Sequence, residues 1–179
     1  RNPQNREWQA TVTWESVERM KEYADLPFML KGIATAEDAA LAVERGVDVI
    51  WVSNHGGRQL DHGVGTMDIL SEIVEVVRDK AEIVLDGGVT RGSDVLKALA
   101  LGAQAVAIGK LQGWGLAADG KDGVVRVLEV LEEEILIGMG LIGVTSIDKL
   151  TPTYVRPAEA TTLPHEMSAW VNLPGERLL

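Results

Sequence analysis

Cysteine is absent from the chain, which removes disulfides, thiolate metal sites and cysteine nucleophiles from consideration and suits a reducing cytoplasm, the expected location. Basic residues are few. The 17 Lys and Arg stand against 27 Asp and Glu, a formal charge of -10 that opposes binding to nucleic acid or to an anionic membrane surface. Long apolar runs are missing too: Glu, Asp or Gly interrupts each hydrophobic region before the roughly 20 residues that a membrane helix needs. No His and carboxylate residues cluster at metal-ligand spacing, which disfavours a metal site. The chain opens on Arg1-Asn2-Pro3-Gln4-Asn5-Arg6, with neither an initiator Met nor an apolar signal region, and reads like the middle of a longer polypeptide. Small molecules and other proteins are the partners left.

What is present is apolar and periodic. At 179 residues and 46% apolar content, one compact unit is expected. Short apolar runs alternate with segments of helical spacing, the mark of successive βα units and parallel strands. The first run is Pro27 to Gly32, followed by a helix that Thr35 caps with Asp38 at its third position, with Ala39, Ala42 and Val43 on its apolar face and Gly46 as its stop. The second is Val47 to Val52, and the helix after it carries Ile69, Ile73, Val76 and Val77 on one face. The third is Ile83 to Leu85, with Val95, Leu96 and Leu99 following at helical spacing and Gly102 ending that helix. The fourth, Ala105 to Lys110, precedes a long helix from about Asp122 to Met139. Trp14 to Tyr23 reads as a helix that closes an earlier unit, and the tail from Thr151 reads as irregular.

Strands made of continuous Val, Ile and Leu are buried on both faces, either between helix layers or inside a closed barrel. An open doubly wound sheet is the alternative, but its G-x-G-x-x-G fingerprint after the first strand is absent. The expected fold is therefore α/β, four βα units that make half of a (β/α)8 TIM barrel over residues 1–149, with an irregular tail over 150–179.

In such barrels the C-terminal strand ends build the active site. Lys31 follows three apolar residues and either faces solvent or stands beside an anionic ligand. The segment Ser53 to Asp61, Ser-Asn-His-Gly-Gly-Arg-Gln-Leu-Asp, is the strongest signal. Its glycines permit close approach of the backbone to a planar ligand, His55 exchanges protons near neutral pH, and Arg58 offers a two-point fork for carboxylate. The bland alternative is a loop histidine and a solvated arginine. His62 and His165 lack such a setting and are expected to be exposed. Asp86-Gly87-Gly88 and Gly109-Lys110 end the third and fourth strands, where backbone N–H groups and a helix N-terminus hold phosphate in many barrels.

Taken together, Leu30-Lys31-Gly32, Ala36 to Ala39, Ser53 to Asp61, Asp86 to Asp94 and Lys97 to Ala103 resemble the FMN-dependent 2-hydroxy acid oxidases and dehydrogenases of the glycolate, lactate and mandelate type, over roughly residues 14–149. The resemblance implies FMN as cofactor, with Lys31 near the N1/O2 edge of the flavin and Ser53 also touching it. It implies His55 as catalytic base and Arg58 as the group that binds the substrate carboxylate. The backbone of Asp86, Gly87, Gly88, Val89, Gly109 and Lys110 would hold the phosphate. The family usually has Arg where this chain has Thr90 and Lys110. Lys keeps the charge and loses the fork, while Thr loses the charge, for which Arg91 is the substitute at hand.

The reaction so implied converts an L-2-hydroxy acid to a 2-oxo acid, with His55 taking either the hydroxyl proton or the Cα proton. Another FMN-dependent TIM-barrel oxidoreductase or isomerase, or a non-catalytic flavin-binding half, is the alternative. The family barrel has eight units, and the resemblance makes residues 1–149 its C-terminal half, strands 5 to 8. It therefore also implies a partner, an N-terminal half-barrel polypeptide, separate or cleaved, without which the chain is inactive, with the assembled barrel expected to form a homo-oligomer.

Overall fold

The computed structural model describes residues 11–23, 26–60 and 62–158. Asp61, His165 and most of the expected tail lie outside the described residues. In chain order the main elements are α1 (Trp14–Glu22), β1 (Met29–Ile33), α2 (Ala36–Glu44), β2 (Val49–Val52), α3 (Thr66–Val77), β3 (Glu82–Leu85), α4 (Gly92–Ala100), β4 (Ala105–Val106) and α5 (Lys110–Leu141). The strands form one parallel sheet in the order β1-β2-β3-β4. The α/β class and the parallel strands are as expected.

Local chemistry explains the element boundaries. Thr35 accepts the Asp38 N–H at 3.1 Å and starts α2, and Gly46, at φ +67°, turns the chain out of it. Both roles follow from side-chain type alone. The fourth strand is shorter than the apolar run suggests. Only Ala105 and Val106 pair, with Val84 and Leu85, and Gly109, at φ -122° and ψ -81°, leaves the extended path and caps α5. Lys110 is thus the first residue of a helix. The long helix begins well before Asp122 and breaks at Asp119 and Gly120. Its two arms meet backbone to backbone at Gly115 and Gly123, where a side chain on either glycine would collide with the other arm.

Side chains alternate across the sheet. Ile50, Val52, Leu85 and nearly all of Ile83 are buried against Ala39, Ala42, Leu70, Ile73, Val77 and Ala98 of the helices. The other face differs from the expectation of burial on both sides. Met29 is 43% exposed, Lys31 and Glu82 are exposed, and Val49, Trp51 and Val84 are only partly covered. Among the described residues β1 pairs only with β2 and β4 only with β3, so each keeps an open edge there. A smaller cluster of Leu96, Met139 and Val144 fixes the second arm of α5 to α4. Among the described residues, no helix is long and apolar enough to cross a membrane.

Candidate functional site

The residues picked from the strand ends converge at one end of the sheet. Lys31, on β1, places its Nζ 2.9 Å from Asp86 Oδ2 just past β3 and donates to Ser53 Oγ just past β2 at 2.7 Å. The same ammonium stands 5.0 Å from the centre of the Trp51 ring. Ser53 is 1% exposed, and its hydroxyl also accepts the His55 N–H at 3.1 Å. It works from beneath the site, fixing both the lysine and the start of the next loop.

That loop is wound tightly. His55, Gly56 and Gly57 have φ of +55°, +67° and +68°, a path that glycine takes readily and histidine only when its surroundings hold it there. Asn54 supplies part of the hold: its Oδ1 accepts the Gly56 N–H at 3.1 Å and its Nδ2 donates to the Val64 carbonyl at 3.3 Å. Lys110 Nζ supplies more, donating to the Gly56 carbonyl at 2.9 Å. The His55 ring lies over Gly32, where a Cβ would come within 3.1 Å of its Cε1. Neither the His55 imidazole nor the Arg58 guanidinium has a hydrogen-bond partner among the described residues, and both residues are exposed.

On the facing wall, Asp86 has its Oδ1 buried with no hydrogen-bond partner among the described residues, an acceptor available to a donor brought by a ligand. Gly87 and Gly88 follow at φ +108° and +71°. A Cβ on Gly88 or Gly109 would meet only open space, whereas one on Gly87 would come within 2.7 Å of Thr66 Oγ1. The two helices that begin here differ. At α4, Asp94 Oδ2 accepts the N–H groups of Thr90 and Arg91 at 3.1 and 3.0 Å. At α5, no side chain among the described residues caps the first turn, so its amides and positive dipole end are available to an anion.

A cleft of about 700 Å³ joins these parts. Lys31, His55, Arg58, Asp86, Gly87, Gly88, Val89, Thr90, Gly109 and Lys110 all line it. Arg91 does not. Its Nε and Nη2 bind Glu134 Oε1 at 2.8 and 2.7 Å, and Glu134 Oε2 takes the Gly92 N–H at 2.7 Å. The Arg91 guanidinium, followed by the Gly92 amide, holds the Glu134 carboxyl below the usual carboxylate range, and the same pairing raises Arg91. Arg91, expected to supply the charge missing at Thr90, is thus engaged by Glu134 of α5 in this structure. His62 is exposed and lies off the cleft.

Sequence reasoning missed Asn54, Thr66, Trp51 and Trp114. Asn54, next to His55 in an already marked motif, was open to recognition as an Asx-type turn residue. Thr66 and Trp114 reach the cleft only through the folding back of α3 and α5, which no local pattern announces.

The chain belongs to the FMN-dependent dehydrogenase family, whose model matches residues 2–157, and FMN is accordingly its cofactor. It is 51% identical over 152 residues to a peroxisomal (S)-2-hydroxyacid oxidase, GLO3, of Arabidopsis thaliana, covering 85% of this chain and 42% of that one. It is 47% identical over 144 residues to an L-lactate oxidase of a Nostoc species, covering 80% and 40%. Among solved structures, mandelate oxidase with (S)-2-phenylpropionate superposes with a TM-score of 0.76 at 50% identity, over 79% of this chain and 42% of that one. A flavocytochrome b2 variant with sulfite bound gives 0.77 at 41% identity, over 80% and 38%. The chain thus spans less than half the length of these relatives.

Proposed function

We propose that this chain provides the FMN cleft and the acid–base machinery of an enzyme that oxidises L-2-hydroxy acids to 2-oxo acids. The observation that carries this reading is the shared cleft: Lys31, His55 and Arg58 line the same space as the uncapped start of α5.

The residues fit the cofactor. The free amides at Gly109 and Lys110, with the turn from Gly87 to Val89, form a cradle for a phosphate. Asp86 Oδ1, buried and without a hydrogen-bond partner among the described residues, is an acceptor suited to a hydroxyl of the ribityl chain. Lys31 sets a fixed positive charge at the meeting of three strands. When bound, FMN supplies a two-electron acceptor.

The protein's own contribution to the reaction is then acid–base and positional. His55 removes a substrate proton, and Arg58 holds the carboxylate with its planar fork. Their exposed, unpaired state leaves both free to meet a small acid.

The reading also requires a complement. The partly exposed sheet face around Met29, Val49 and Val84, and the open edges of β1 and β4, leave apolar groups and backbone donors unpaired. An N-terminal half carrying four further βα units, closing a (β/α)8 barrel, would cover both. The test is a product assay on the protein assembled with that half. L-lactate, glycolate and L-mandelate are supplied with oxygen or an artificial acceptor, and 2-oxo acid is quantified. At least one should yield stoichiometric 2-oxo acid. FMN-loaded protein that oxidises no L-2-hydroxy acid would overturn the reading.

A further inference from the structure

The four strands contain one aromatic residue, Trp51, at the centre of β2. Its neighbours Ile50 and Val52 point into the helix-side core at 0% exposure, so Trp51 projects from the opposite face. There it pairs in register with Lys31, and the Lys31 Nζ lies 5.0 Å from the centre of its ring.

An ammonium has three donors. Ser53 Oγ at 2.7 Å and Asp86 Oδ2 at 2.9 Å engage two of them, and the Trp51 π face flanks the ammonium while the lysine, with 37% of its side chain exposed, still borders the cleft. The indole N–H is buried and has no partner among the described residues, a cost that Phe or Leu would not carry. Valines share the same face at positions 49 and 84, so apolar covering alone does not call for an indole. A cation does, because Trp presents the strongest π surface to a Lys or Arg head group.

We infer that Trp51 is a positioning residue whose ring fixes the Lys31 ammonium where β1, β2 and β3 meet, and thereby sets how strongly this chain stabilises negative charge on the flavin. The inference rests on the proposed FMN cleft, and it concerns a residue outside the set that would touch substrate.

Sulfite is a suitable probe, because its binding to a flavin places negative charge on the ring and is read directly from the visible spectrum. The experiment uses the assembled, FMN-loaded protein, its Trp51→Leu and Trp51→Phe variants, and the same changes in a Lys31→Met background. Trp51→Leu should raise the sulfite dissociation constant roughly 2- to 30-fold, the span that a cation–π contact of this kind allows, and shift the flavin reduction potential to a more negative value. Trp51→Phe should fall between it and the parent, and it carries the test alone if the Leu variant does not retain FMN. In the Lys31→Met background, replacing Trp51 should change neither quantity further. Variants that hold FMN and keep the parent's sulfite affinity and potential would overturn the inference while leaving the cleft intact. So would an equal effect of Trp51→Leu with and without Lys31. If the parent itself binds no FMN, the reading of the cleft and this inference fall together.

Discussion

Thr66, the first residue of α3, donates its hydroxyl to the Asp86 carbonyl at 2.6 Å and is 2% exposed. Through this bond the start of one helix clamps the turn that follows the next strand, and Gly87 is the residue that lets the two approach. Thr66→Val keeps the shape and leaves that carbonyl without its donor. A loss of about 1–3 kcal/mol in stability is expected, together with a severalfold weaker hold on FMN as the turn at Gly87 and Gly88 loosens. Thermal melting and fluorescence titration of the apoprotein with FMN measure the two effects.

His55→Ala in the assembled protein should reduce turnover by roughly 10² to 10⁴, the usual contribution of a positioned base, with FMN still bound. Steady-state kinetics beside the flavin absorbance separate the two. Activity near that of the parent would remove His55 from the role.

Arg58→Lys keeps the charge and loses the planar fork. The apparent KM for the 2-hydroxy acid should rise strongly and kcat should fall less. Unchanged kinetics would mean that another group holds the carboxylate.

The clasp between Arg91 and Glu134 gives a pH dependence with a definite sign. Glu134 has its carboxyl depressed in the fold, first by Arg91 and then by the Gly92 N–H. Its contribution to stability is therefore complete above the unfolded-state pKa and is lost as pH falls through the lower, folded-state value. Both partners border solvent, so the effect is modest. Glu134→Gln should melt at a lower temperature than the parent at neutral pH, and the gap should close in acid. A gap that stays constant with pH would remove this carboxylate from the linkage.

Much of the site was legible because strand ends are marked by composition. Each apolar run stops at a residue that does not belong in a core, and Lys31, Ser53, Asp86 and Gly109 are such stops. The Thr35 cap was equally legible, since a threonine three residues before an aspartate at a helix start leaves few options. Pairings over long separations were not. Arg91 lies 43 residues from Glu134 and Lys110 lies 54 from Gly56, and nothing local tells a cation which of several acceptors the fold will bring to it. The first arm of α5 escaped notice because Gly113 and Gly115 interrupt its helical pattern, yet Gly115 is what allows the arms to fold together at Gly123. The alternation within β2 was masked by its uniformly apolar sequence, which gave no sign that Trp51 stands beside the lysine.

The most direct measurement is the visible spectrum of the assembled protein, recorded without oxygen before and after addition of an L-2-hydroxy acid. A cleft built as described should show the two flavin bands, and these should bleach with the L-acid while the corresponding 2-oxo acid leaves them oxidised. A protein that holds FMN, yet keeps both bands unbleached with glycolate, L-lactate and L-mandelate, would contradict the assignment of His55, Arg58 and Lys31 to this chemistry.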